Sequence, residues 1–151
     1  MKRISKHISY KEATGSNYAK QYGIKNKPNE EQVDNMKLLA KEVFEPLREW
    51  VGCPIRVNSM FRSLELNTAL KGSITSSHMK GEAMDITRMS CDKEDCKTNL
   101  DMFHYIKDNL EFDQLIWEFG SEPKWLHVSY NKDKNRKQVL VTKRQGVYYT
   151  Y

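Results

Sequence analysis

No stretch of this chain approaches the run of about 20 apolar residues that a membrane-crossing helix needs, so a helical span is excluded. The first residues, Met1-Lys2-Arg3-Ile4-Ser5-Lys6-His7, are basic, but no apolar run follows them. The central region of a secretory signal is therefore missing, and synthesis in a reducing cytoplasm is expected. Cysteine is scarce: Cys53, Cys91 and Cys96 are odd in number and lack the two-residue spacing of a zinc ribbon, which also argues against a disulfide scaffold. Cys91 and Cys96 flank the polar stretch Asp92-Lys93-Glu94-Asp95, and in a reducing compartment two free thiols are favoured there over a bridge. Internal repeats and low-complexity segments are absent. The lysines and arginines form no dense stripe and accompany no RNA- or DNA-binding motif, so nucleic acid is not expected as a partner.

A length of 151 residues suits one domain that can bury a core without disulfides. Lys and Arg number 25 against 20 Asp and Glu, a net charge of +5 that draws the surface weakly towards polyanions, an anionic bacterial wall among them. Residues 1–28 are polar and carry Gly15, Gly23 and Pro28, which predicts an irregular N-terminal arm with short structured pieces. Asn29 then offers a helix cap, with Glu30 and Glu31 in the first turn. Val33, Met36, Leu39, Ala40, Val43, Phe44, Leu47 and Trp50 recur at helical spacing, predicting the principal helix, kinked or restarted at Pro46 and stopped by Gly52.

Pro54 to Ser59 reads as a strand, and Ser63 as the cap of a helix running to Gly72. A strand through Glu82-Ala83-Met84-Asp85-Ile86 points Ala83 and Asp85 to one face. A helix over roughly 94–109 is followed by strand-like runs around 112–118, 125–130 and 137–150, the last broken by Gln145-Gly146 as a hairpin turn. This order predicts a single α+β domain over 1–151, with helices packed against an antiparallel sheet.

The chemistry concentrates in Ser76-Ser77-His78-Met79-Lys80-Gly81-Glu82-Ala83-Met84-Asp85, where a histidine and a carboxylate stand seven residues apart around a glycine. A second histidine lies downstream in Trp125-Leu126-His127-Val128-Ser129. His78, Asp85 and His127 make a set of three ligands that leaves a fourth tetrahedral position for water, as catalytic zinc requires. If the loop from Phe119 to Lys124 closes an antiparallel pair, Glu118 falls opposite Trp125 and diagonal to His127. Diagonal neighbours are roughly 7–8 Å apart, a gap that suits a carboxylate acting on a water rather than on the metal itself. Arg62, just past a strand end, is placed to bind a carbonyl oxygen or a carboxylate. Ser76 can hydrogen-bond substrate or orient the His78 loop. Trp125 shares the face of His127 and can wall the pocket. His7 and His104 read as bystanders.

Ser76 through Asp85 resembles the SxHxxGxAxD motif of the M15 zinc peptidases, the D-alanyl-D-alanine carboxypeptidase and phage endolysin family whose zinc-site fold is shared with the Hedgehog signalling domain. The likeness extends to Ser9-Tyr10, Glu45-Pro46-Leu47-Arg48, Asn58-Ser59-Met60-Phe61-Arg62-Ser63, Asn67 and Trp125-Leu126-His127-Val128-Ser129. By position it implies zinc on His78, Asp85 and His127, Glu118 as the catalytic carboxylate and Arg62 polarising the substrate. Several members place the base three residues before the last histidine, where this chain has Lys124. The assignment therefore moves to Glu118, with Glu122 in the intervening loop as the alternative. Others carry a histidine where Trp125 stands.

The resemblance implies a zinc peptidase acting on the peptide stem of peptidoglycan, as an endolysin-type endopeptidase or a DD-carboxypeptidase, and a monomer is expected. An endolysin made without a signal would reach the wall through a holin-type pore. From another class, the fold can serve as a catalytically silent, zinc-stabilised binding module.

Overall fold

The computed structural model describes residues 1–151. Its N-terminal arm is more ordered than its composition suggests. Strands β1 (Arg3–Ser5) and β2 (Ile8–Ser9) form a small antiparallel pair. Ser9 and Ser16 then cap two short helices, α1 (Tyr10–Thr14) and α2 (Asn17–Tyr22), by accepting from the backbone N–H groups of Glu12 and Ala19.

Asn29 caps α3 (Glu30–Leu39), and the Gln32 side chain closes the capping box. The helix passes through one π-helical turn, Ala40–Phe44, and continues as α4 (Glu45–Val51). The disturbance expected at Pro46 is thus absorbed one turn earlier. Proline has no N–H to offer the preceding turn and its ring crowds a carbonyl there, and a wider turn relieves both. Gly52 ends α4 in the left-handed region, with φ 71°. Met36, Leu39, Val43, Phe44 and Leu47 are buried along the inner face of this long element.

Next come β3 (Ile55–Ser59), α5 (Leu64–Ala69), β4 (Ala83–Arg88) and α6 (Asn99–Asn109). The chain ends in β5 (Gln114–Glu118), β6 (Trp125–Ser129), β7 (Gln138–Arg144) and β8 (Val147–Thr150). The helix expected from residue 94 begins later, because Thr98 and Asp101 form its capping box. The stretch before it is closed by a Cys91–Cys96 disulfide, which corrects the expectation of two free thiols. The turn between β4 and α6 brings the two Cα atoms to 6.2 Å, within bridging distance. Cys53 is the free cysteine, and its Sγ lies 3.5 Å from that of Cys91.

The six-stranded sheet has the order β3-β4-β6-β5-β7-β8 and is antiparallel except between β5 and β7. The parallel pair departs from the expected all-antiparallel sheet and follows from the connection after β6. Residues 130–137 cross the sheet at the end where β5 begins, pinned there by the two-pronged Arg136–Asp113 ion pair and by Lys137 and Gln138 donating to the carbonyls of Phe112 and Asp113. Having crossed without returning along its length, the chain runs beside β5 in the same direction.

The architecture is α+β. Met84, Ile86, Leu115, Leu126 and Val128 lie on one face of the sheet and join the helical side chains in a single core cluster of 23 buried residues. Alternation sends Asp85, His127, Ile116 and Leu140 to the opposite face, where they line an open cleft.

Candidate metal centre

His78 sits on a short 3-10 turn, Ser77–Lys80, whose preceding residue Ser76 accepts a hydrogen bond from the His78 backbone N–H. The turn ends at Gly81, φ 72°. A Cβ at that position would lie 2.3 Å from the Gln32 carbonyl oxygen, so only glycine lets the turn close against α3. Gln32 and Asn35 of that helix donate to the Met79 and Lys80 carbonyls and fix the turn from beneath. On the other side Asn67, itself buried, donates to the Ser73 carbonyl and ties down the loop leading to His78.

The His78 ring is held by Nδ1–H donating to the Met60 carbonyl at 2.7 Å. That bond engages Nδ1 and turns Nε2 towards Asp85 Oδ1, 3.4 Å away. Asp85 on β4 and His127 on β6 are directly opposed in the ladder, and His127 Nδ1 lies 3.1 Å from the same Oδ1. For metal–ligand bonds of about 2.0–2.1 Å, tetrahedral geometry places ligand atoms roughly 3.3–3.4 Å apart. The three donors, all within 4.8 Å of one another, therefore fit one tetrahedral ion. Burial by itself would push the Asp85 carboxyl up. The charges and hydrogen bonds of the His78 and His127 imidazoles outweigh it and hold the carboxyl well below the usual carboxylate range, so an anionic ligand is ready in place.

Glu118 ends β5 directly opposite Trp125, which puts it diagonal to His127 on the cleft face. Burial first, and the Asp85 charge second, push its carboxyl up to about 7, with the His127 charge opposing. Arg62 donates from Nε to Ser59 Oγ at 3.1 Å and approaches Asp85 Oδ2 with Nη2 at 3.4 Å. It is set by the N-terminal arm: Asn26 accepts from the Ser63 backbone N–H and donates to the carbonyls of Thr14 and Phe61, while the Phe61 N–H donates to Ala13.

The cleft over these groups has a volume of about 780 Å³, and Arg62, Ser76 and Trp125 line it together with the three donors and Glu118. Glu122, the alternative to Glu118, is exposed on the loop and is not among the lining residues. Glu82, inside the motif, faces a separate smaller cavity and accepts from Asn131 at 2.8 Å. Sequence reasoning missed one wall of the cleft, built by Leu140, Thr142 and Tyr148 of the last two strands. Alternation along 138–150 puts these residues on one face, but nothing local says which strand β7 joins.

This arrangement provides an acidic and imidazole donor set, a carboxyl group that exchanges its proton near neutral pH, and a guanidinium at the edge of the same cleft. These are the parts of a metal-assisted hydrolytic site. A search of curated proteins gives no match to the chain. The peptidase M15 family model matches residues 6–129, a segment that contains all three donors, Glu118 and Arg62. The chain therefore belongs to the peptidase M15 family, a family of metallopeptidases.

Proposed function

We propose that this protein is a zinc-dependent peptidase that hydrolyses an amide bond in the peptide stem of peptidoglycan, as an endolysin-type endopeptidase or a D-alanyl-D-alanine carboxypeptidase. The observation that carries the reading is the placing of Glu118 diagonally across the β5–β6 pair from His127, beside a donor set of two imidazoles and one carboxylate. That donor set suits zinc with an open fourth position. Zinc held by His78, Asp85 and His127 would supply Lewis acidity towards the scissile carbonyl and make the attacking water more acidic.

Glu118 takes a proton from the attacking water and hands it to the leaving amine, acting first as base and then as acid. Burial, the first cause that holds this carboxyl up at about 7 in the metal-free protein, favours its accepting a proton. Arg62 keeps N–H groups beyond those engaged by Ser59 and Asp85, and it donates them to the carbonyl oxygen as negative charge develops. Ser76 and Trp125 contact the substrate from the cleft walls. The net charge of +5 favours approach to an anionic wall polymer. All these groups come from one chain, which is why we read the active form as a monomer.

The test is to incubate the zinc-loaded protein with purified peptidoglycan and identify released fragments by mass spectrometry. New N-termini within the stem establish an endopeptidase, and free alanine a carboxypeptidase. Neither product, with zinc bound at one ion per chain, would reject the peptidase reading in favour of a zinc-stabilised binding module.

A further inference from the structure

Residues 130–151 lie beyond the segment matched by the family model, yet they build one wall of the cleft. Strand β7 joins β5 so that Thr142 stands opposite Glu118, and β8 folds back so that Tyr148 stands opposite Thr142. Opposed residues project from the same face of a sheet. Trp125, Glu118, Thr142 and Tyr148 therefore form one row across β6, β5, β7 and β8, all on the cleft side. Within this row Thr142 is buried, and its hydroxyl is committed to the Arg144 and Val147 carbonyls, each at 2.7 Å, where it holds the hairpin. Tyr148 is 51 % exposed and is thus the next polar side chain along the row that a ligand can reach.

Tyr148 lines the same cleft as Glu118, Asp85 and His127. Partial burial, and then the charges of Glu118 and Asp85, raise its pKa above the ordinary tyrosine value, so at neutral pH it keeps its proton and is available as a donor. On the proposed mechanism Glu118 passes a proton to the leaving amine, so the released segment of the peptide lies on the Glu118 side of the centre. Arg62 stands across the cleft, beside Asp85.

We propose that Tyr148 is a substrate-contacting residue that donates a hydrogen bond to a carbonyl or carboxylate oxygen of the leaving segment and walls that subsite with its ring, making the β7–β8 hairpin the element that selects the leaving group. The proposal rests on the peptidase reading and adds to it a contact made outside the matched family segment. Tyr149, next in sequence, stands opposite Val141 on the other face and is not among the cleft residues, which makes it the internal control.

The experiment measures kcat and KM of the zinc-loaded wild type, Tyr148→Phe, Tyr148→Ala and Tyr149→Phe on a soluble stem peptide. It also measures the Kd of the same peptide, by calorimetry, in the zinc-loaded Glu118→Gln background with and without Tyr148→Phe. Zinc content and melting temperature confirm that each variant is folded. Loss of one hydrogen bond predicts a fall of about tenfold in kcat/KM for Tyr148→Phe, expressed mainly in KM, and a matching weakening of Kd. Tyr148→Ala should fall further, and Tyr149→Phe should match wild type. Wild-type kcat and KM in both Tyr148 variants, with Kd unchanged by Tyr148→Phe and an active parent, would overturn the proposal while leaving the peptidase reading intact. If the parent neither cleaves nor binds the stem peptide, the peptidase reading fails, and the role given to Tyr148 fails with it.

Discussion

Asp85 and His127 stand directly opposite each other on neighbouring antiparallel strands, with carboxylate and imidazole 3.1 Å apart. Two donors are thus spaced by the ladder itself, and only His78 has to be delivered by a turn. Asp85→Ala removes the anionic donor and leaves two imidazoles in a buried site. Zinc affinity should fall by more than about 100-fold, beyond the range usual for loss of a supporting group, as measured by competition with a chromogenic chelator. Wild-type affinity in this variant would place the metal elsewhere.

Glu118→Gln retains the shape of the side chain and removes its basicity. Zinc should still bind at one ion per chain, while wall hydrolysis falls by a factor on the order of 10²–10⁴. Full activity would exclude Glu118 as the base.

The same carboxyl should leave a mark on stability in the metal-free protein. Its folded pKa is raised from 4.5 to about 7, so between those values the folded state binds more protons than the unfolded state. Unfolding free energy must then fall as pH rises through this window. Asp85 acts with the opposite sign: its carboxyl is held low in the fold, so its contribution is present above 3.8 and is lost as pH falls below that value. Urea midpoints of chelated protein, taken across pH, should show both slopes. Glu118→Gln should flatten only the one near neutrality.

The Cys91–Cys96 bridge predicts one reactive thiol, Cys53, in the oxidised protein and three after reduction, as counted with a thiol reagent. Closing so short a loop restricts the unfolded chain modestly, so Cys96→Ser should cost about 2 kcal/mol of stability in urea titration. A count of three thiols in protein never exposed to reductant would show that the bridge does not form.

Gly81→Ala places a methyl group against the Gln32 carbonyl oxygen at a backbone angle of φ 72°. Destabilisation of about 2 kcal/mol or more is expected, with weaker zinc binding because the His78 turn is displaced. Gly23, also at positive φ but with no atom near its added Cβ, should tolerate alanine better and isolates the effect of the close approach.

What could be read from the sequence was what local pattern encodes. His78 and Asp85 fall within ten residues, His127 sits on an alternating strand, and Glu118 follows once a six-residue loop is taken to close a hairpin. Asn29 and Ser63 announced their helices as caps, whereas the Thr98 cap went unread: α6 begins at Asn99 rather than near 94, and the preceding acidic stretch is drawn into the disulfide turn. The position of β7 could not be read. Its parallel pairing joins Gln114 to Gln138 across a connection whose hydrogen bonds, Arg136 to Asp113 above all, have no signature in the strands themselves. The wall formed by Leu140, Thr142 and Tyr148 was hidden with it. Cys91 and Cys96 were equally ambiguous, since spacing alone does not report how a turn orients two side chains.

The side chain of Asn26 clasps three points at once, Thr14, Phe61 and Ser63, and so braces the backbone on both sides of Arg62. The N-terminal arm is therefore a buttress for the guanidinium rather than a decoration on the outside of the sheet. On the proposed function, slackening that brace would let the guanidinium swing while His78, Asp85 and His127 stay where they are, so an injury far from the chemistry would blunt hydrolysis and spare metal binding.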